Sequence, residues 1–194
     1  MTELRTYSQR VAAIAEILNE VIDLSKYAVN TYASNPPDLE MINGLRCSWG
    51  EPEYGLPRIT VFVEALDDID DEVRACRDHV ANFPERGESQ YDPASASELP
   101  TDRPNEYVFL FNYVEDVTVL VGNCQVTIMP SLQQIKRMDH DYPDLELTDF
   151  VNAALEIGRT VGCSPYDDDF VRPDFPERWT QLSWTAFPNT TQDE

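Results

Sequence analysis

Apolar and polar positions alternate along this chain with two different periods. Over residues 3–33, Ile14, Ile17, Leu18, Val21, Leu24 and Ala28 recur at three- and four-residue steps, with Glu16, Glu20 and Lys26 off the stripe. That spacing predicts one long amphipathic helix, ended by Ser34-Asn35-Pro36-Pro37, where the prolines forbid continuation. Residues 45–50 suggest a short strand. From Arg58 to Leu66 the period becomes two: Ile59, Val61, Val63 and Ala65 share one face, Thr60, Phe62 and Glu64 the other. Ile69, Val73, Cys76, Val80 and Phe83 then step by four and three, which predicts a helix closed by Pro84. The acids of Asp67-Asp68-Ile69-Asp70-Asp71-Glu72 fall at its start. Caps for free amide groups and a complement to the helix dipole explain them better than a metal site.

The second half is richer in strand signals. Residues 106–129 place Tyr107, Phe109, Phe111 and Tyr113 on one face and Val108, Leu110 and Val114 on the other. Glu115-Asp116 marks a turn or bulge, Val117, Val119 and Val121 resume the alternation, and Gly122-Asn123 is a two-residue hairpin signal. An antiparallel meander is the expectation, with the aromatic row as a core face under a helix. Ser131 and Gln134 have capping-box spacing for a helix over 132–139. A further helix over about 146–160 carries Leu147, Phe150, Val151, Ala154, Leu155 and Gly158 inward and stops at Gly162. Residues 179–187 alternate as a final strand.

Strands cluster and helices stand apart, so the fold class is α+β. The expected architecture is a mostly antiparallel sheet of about five to six strands, packed by an N-terminal amphipathic helix and two to three further helices. Residues 1–194 read as a single domain. Residues 84–105, rich in proline and serine and nearly devoid of aliphatic side chains, read as a long loop, and 188–194 as a polar C-terminal tail. The loop is either a surface excursion or an arm that orders on a partner.

Composition changes the picture by defining the solvent. There are 36 acidic and 14 basic residues in 194, a formal net charge of −22, and only Lys26 and Lys136 among the bases are lysine. The acids run through the whole chain. At this density self-repulsion destabilises a compact state in dilute salt. In molar salt the screening length falls to about 3 Å and the repulsion fades. An acid-rich, lysine-poor surface resembles that of proteins from extremely halophilic archaea and their viruses. Two other readings stay open: an acidic protein of a high-GC bacterium, and mimicry of nucleic-acid charge for a basic partner. Direct nucleic-acid binding is disfavoured, since phosphate contacts need clustered Lys and Arg. No apolar run is long enough for a membrane span, and the opening MTELRTYSQR lacks the apolar stretch of a signal peptide.

Candidate chemistry is sparse. Cys47, Cys76, Cys124 and Cys163 are far apart in sequence, without the close pair of a zinc site, and read as buried small hydrophobes in a reducing compartment. His79 falls on a polar helix flank. His140 lies within Asp139-His140-Asp141-Tyr142-Pro143-Asp144, which lacks the ligand spacing of a calcium loop. Asp167-Asp168-Asp169 reads as a solvated loop or a contact for a partner's arginines. No nucleophile elbow or phosphate-cradling glycine loop is present. Asn189-Thr190-Thr191 is a weak glycosylation sequon. We therefore expect no enzyme, no catalytic residue, no cofactor and no metal. Weak partner-binding candidates are Tyr91, Asp92 and Arg103 in the loop and Asp167, Asp168 and Asp169.

The order of elements resembles the tail-terminator and tail-completion proteins of long-tailed viruses. The matching parts are residues 3–33, the strand entry Leu56-Pro57-Arg58-Ile59-Thr60-Val61-Phe62-Val63 within 56–66, and then 106–129, 146–160 and 179–187. The long loop departs from that family's pattern. The resemblance implies a non-enzymatic ring, often a hexamer, that caps the tail tube, with the loop and a sheet edge as contacts. Its partners would be further copies of the chain and other virion proteins, assembled in the host cytoplasm. The alternative is an acidic inhibitor or immunity protein that occludes a basic enzyme.

Overall fold

The computed structural model describes residues 6–34, 44–50, 57–82, 96–112, 114–138 and 141–163. Among them, seven strands form one antiparallel sheet: β1 (Ala28–Ser34), β2 (Gly44–Gly50), β3 (Pro57–Ala65), β4 (Ala96–Leu99), β5 (Glu106–Phe111), β6 (Asp116–Val121) and β7 (Cys124–Pro130). The order across the sheet is β1-β2-β3-β7-β6-β5-β4. Two meanders, β1–β3 and β4–β7, are thus joined at β3 and β7, where Ile59 pairs with Pro130 and Ala65 with Cys124. The chain reaches the far edge through helix α2 (Ile69–Asn82).

The alternation of each strand divides its side chains between two helical layers. One face carries Cys47 and Trp49 of β2, Val61 of β3, Val119 of β6 and Val126 of β7 into a large core with Ile14 and Leu18 of α1 (Tyr7–Leu18) and Ala154 and Ile157 of α4 (Val151–Thr160). Helix α3 (Leu132–Met138) adds Ile135 to the same core. The opposite face carries Phe109, Phe111 and Leu120, which pack on Val73 and Cys76 of α2. The α+β class holds, and the aromatic row of β5 is a core face under a helix, as its alternation predicts.

Local chemistry sets the element ends. Asp68 Oδ1 accepts from the amides of Asp70 and Asp71 at 2.9 and 3.4 Å and caps α2. That is the role its position suggests. Gly122, with φ +61°, is the first central residue of the β6–β7 hairpin, the conformation a type II′ turn demands. Gly162, with φ +63°, ends α4. Around the start of α3, the Ser131 amide donates to the Arg58 carbonyl at 2.7 Å, the amide oxygen of Gln134 accepts from the Arg58 guanidinium, and Glu115 Oε2 accepts from the Leu132 amide at 2.9 Å. A full capping box forms at Thr6 and Gln9 of α1.

Three expectations need correction. The helix over 3–33 ends at Leu18. Asn19 Oδ1 accepts from the Leu24 amide and Asp23 Oδ1 from the Ser25 amide, both at 2.9 Å, which replaces helical bonding with a 3₁₀ turn, Leu24–Lys26. The chain then runs into β1, where Val29, Thr31 and Tyr32 favour extended backbone and pair with Trp49, Cys47 and Arg46. The loop over 84–105 contains β4, whose Ala96 to Leu99 pair with Phe111 to Val108. With β1 and β4 added, the sheet exceeds the five to six strands expected. Residues 179–187, the expected final strand, lie outside the described residues, as do the tail at 188–194 and the loop positions 84–95.

Candidate functional site

Helices α1 and α4 lie side by side, and their outer faces enclose a groove of about 710 Å³. Its apolar walls come from Ala13, Ile17 and Val21 of the α1 region and Ala153 of α4. Its rim carries Glu16 and Glu20 on one side and Asp149 and Glu156 on the other, all exposed. The basic residue at one end, Arg159, is already engaged: Nε donates to Glu106 Oε1 at 2.9 Å and Nη2 to Oε2 at 2.5 Å. Glu106 is buried, at 8% exposure, and it is the buried acid among the described residues. Hydrogen bonds from Arg159 hold its carboxyl below the usual carboxylate range, against the opposing effect of burial. Its stabilising contribution is therefore present above the ordinary carboxylate pKa and lost as pH falls through the lowered value. The groove keeps a net negative rim around an apolar floor. It suits a cationic, partly apolar segment of a partner.

The opposite sheet face, beyond the cover of α2, is polar. Ser48 and Thr60 hydroxyls pair across β2 and β3 at 3.0 Å, and Thr118 and Thr127 across β6 and β7 at 3.1 Å. The Arg46 guanidinium stacks 5.0 Å from the centre of the Phe62 ring. These are cross-strand ladder contacts, and they tie the central strands to one another. Asp116, at the start of β6, is pushed up to about 6 by burial, and its Oδ1 has no hydrogen-bond partner. Its folded-state pKa lies above the unfolded value, so the charged form costs stability above pH 6, and the cost is relieved as pH falls through 6 towards 4. Asp116→Asn is expected to raise the unfolding free energy at pH 7 by about 2 kcal/mol, with the gain vanishing near pH 4. Urea titrations at the two pH values check this.

Of the partner-binding candidates, Arg103 is described. It is exposed in the turn before β5, with Nη1 3.8 Å from Glu106 Oε1, so it adds to the charge facing the buried acid. Tyr91, Asp92, Asp167, Asp168, Asp169 and His140 lie outside the described residues. His79 packs edge-on to Phe111, ring centres 5.2 Å apart, on the flank of α2. Among the described residues no group of three or more His, Cys, Asp or Glu is placed to hold a metal ion. No helix there is long and apolar enough to cross a membrane.

The four cysteines are all free and buried, as their isolation in the sequence suggests. What the sequence does not show is that Cys124 and Cys163 meet. Cys163 Sγ lies 3.2 Å from the carbonyl oxygen of Asn123, the residue before Cys124. The Glu106–Arg159 pair is equally silent in the sequence, because its partners belong to β5 and α4.

Exposed carboxylates stand on both layers. Glu16, Glu20, Asp149 and Glu156 cover the α1–α4 side, and Asp70, Asp71 and Asp78 of α2 cover the other, with Asp67, Asp68 and Asp102 in turns.

No curated protein and no solved structure matches the chain. Residues 6–180 match the family model described as a domain of unknown function, DUF7956. The match spans both meanders, α2 and the α1–α4 layer, so the chain belongs to the DUF7956 family.

Proposed function

We propose that this protein is a non-enzymatic structural protein that assembles with copies of itself in the neck or tail of a tailed virus with a halophilic host. Its partners are other virion proteins, without direct contact to nucleic acid or membrane, and it resides in the virion after assembly in the host cytoplasm. The observation that carries the reading is the spread of exposed carboxylates over both helical layers. A mimic of nucleic acid needs its charge on one flank. A body that stays dissolved in brine needs it on every side. The order of helix, strand, meander and helix supports the resemblance to tail-terminator proteins. The outer strand β1 and the loop over 84–105 are the contacts that the resemblance implies.

Two measurements test this. The thermal midpoint should rise steeply between dilute buffer and molar KCl as the screening length falls to about 3 Å. Light scattering in molar KCl should give a defined multiple of 22.2 kDa, with rings visible by electron microscopy. A midpoint indifferent to salt, or a monomer at every concentration, rejects the proposal.

The acid-rimmed groove between α1 and α4 favours a second reading, an inhibitor or immunity protein for a basic enzyme. Tight binding of a cationic enzyme near physiological salt, weakened by added KCl and by charge-neutralising substitutions at Glu16 and Glu156, would mark that function instead.

A further inference from the structure

Two thiols far apart in sequence converge at one end of the sheet. Cys124 opens β7 immediately after the Gly122-Asn123 turn. Cys163 follows Gly162, whose left-handed conformation ends α4 and turns the chain back towards that hairpin. In its thiol form Cys163 donates to the Asn123 carbonyl, with Sγ 3.2 Å from that oxygen and 3.6 Å from Asn123 Oδ1. Cys163 Sγ thus rests against the residue that precedes Cys124, and both cysteines belong to the same buried core. Arg10 of α1, itself buried, brings a positive charge to the pair.

The other two cysteines move up. Burial drives the thiol pKa of Cys47 far up, and burial together with the Glu72 carboxylate beside it raises that of Cys76 to about 12. Cys163 moves the other way. A hydrogen bond from Cys124 and the charge of Arg10 favour its thiolate over the opposing effect of burial. Cys124 moves up, through its interaction with Cys163 and its burial. Cys163 keeps 6% of its surface exposed, whereas Cys47 keeps 0%, so a small oxidant reaches the first and not the second.

We propose that Cys163 and Cys124 are an oxidation site, with Cys163 the nucleophile towards hydrogen peroxide and Cys124 the resolving thiol, and that they close a reversible disulfide joining the end of α4 to the start of β7. In the first step the Cys163 thiolate attacks one peroxide oxygen. An S–O bond forms, the O–O bond breaks, and the departing hydroxide takes a proton to become water. In the second step Cys124 gives up its proton and its sulfur attacks the Cys163 sulfenic acid. The S–S bond forms, the S–O bond breaks, and hydroxide leaves with that proton as a second water. Two thiols lose two electrons, and one peroxide is reduced to two waters. A small dithiol reverses the bond by thiol–disulfide exchange.

The test uses the full chain in molar KCl, treated with equimolar hydrogen peroxide, alkylated under denaturing conditions and mapped by mass spectrometry. The expected result is loss of two of the four thiols, a mass lower by two hydrogens, and a dithiol-sensitive peptide linking Cys124 to Cys163. Cys124→Ser should keep its other thiols out of any disulfide and let dimedone trap a sulfenic acid at Cys163. Cys163→Ser should keep all three remaining thiols at the same peroxide dose. Circular dichroism shows whether each variant is folded, and Cys124→Ala stands in if the serine does not fold. Uniform oxidation of all four cysteines, a disulfide through Cys47 or Cys76, or no thiol loss at excess peroxide overturns the proposal.

Discussion

Phe150→Ala will lower the unfolding free energy by about 3–5 kcal/mol. Phe150 is fully buried and sits where the 3₁₀ turn Leu147–Phe150 hands over to α4. Its ring belongs to the core between α4 and the sheet, the cluster that also holds Leu147, Ala154 and Val119. Removal loses the transfer free energy of the ring and leaves a cavity, because strands on one side and helix on the other cannot both relax into it. Phe150→Leu retains most of the volume and should cost less than about 2 kcal/mol. Urea unfolding in molar KCl, followed by tryptophan fluorescence, measures both. A domain of this kind has only about 5–15 kcal/mol in total, so Phe150→Ala should be largely unfolded in dilute buffer, where charge repulsion adds to the deficit. A loss below about 1 kcal/mol for the alanine variant would show that the α4 layer does not pack on the sheet at this point.

Gly158→Val will cost about 2–3 kcal/mol. Gly158 faces β6 from α4, and a Cβ built there meets Val121 Cγ2 at 2.9 Å and Val121 Cβ at 3.1 Å. Glycine is present because the helix backbone approaches the strand closely. Alanine should recover about 1 kcal/mol of helix propensity and lose about as much or more to the clash. Valine adds methyl groups where the first carbon already does not fit. The diagnostic is the double variant: Val121→Ala in the Gly158→Ala background should restore most of the loss, giving a favourable coupling in a thermodynamic cycle. Strict additivity would contradict a direct contact.

Much of the local structure was legible because it depends on neighbours in the chain. The two-residue period of 58–66 and 106–129, the capping role of Asp68, the Gly122 turn and the Gly162 stop each follow from dihedral preference or from residues three or four apart. Where the apolar stripe of 3–33 misled, it recorded burial correctly for Ile14, Leu18 and Leu24 but not the conformation that achieves it. Asn19 and Asp23 offered the backbone other partners, and β2 offered Val29 and Thr31 a strand to pair with. Short β4 carried too little pattern to stand out from the prolines around it.

The sequence by itself determined the class of fold, the positions of most strands and helices, the inward face of the strands it marked and the net charge of −22. Only the tertiary structure decided the order of the strands, the β3–β7 junction, the Glu106–Arg159 pair and the meeting of Cys124 with Cys163. Those contacts join distant segments, and they form when two layers of helix close on one sheet; no spacing along the chain encodes them.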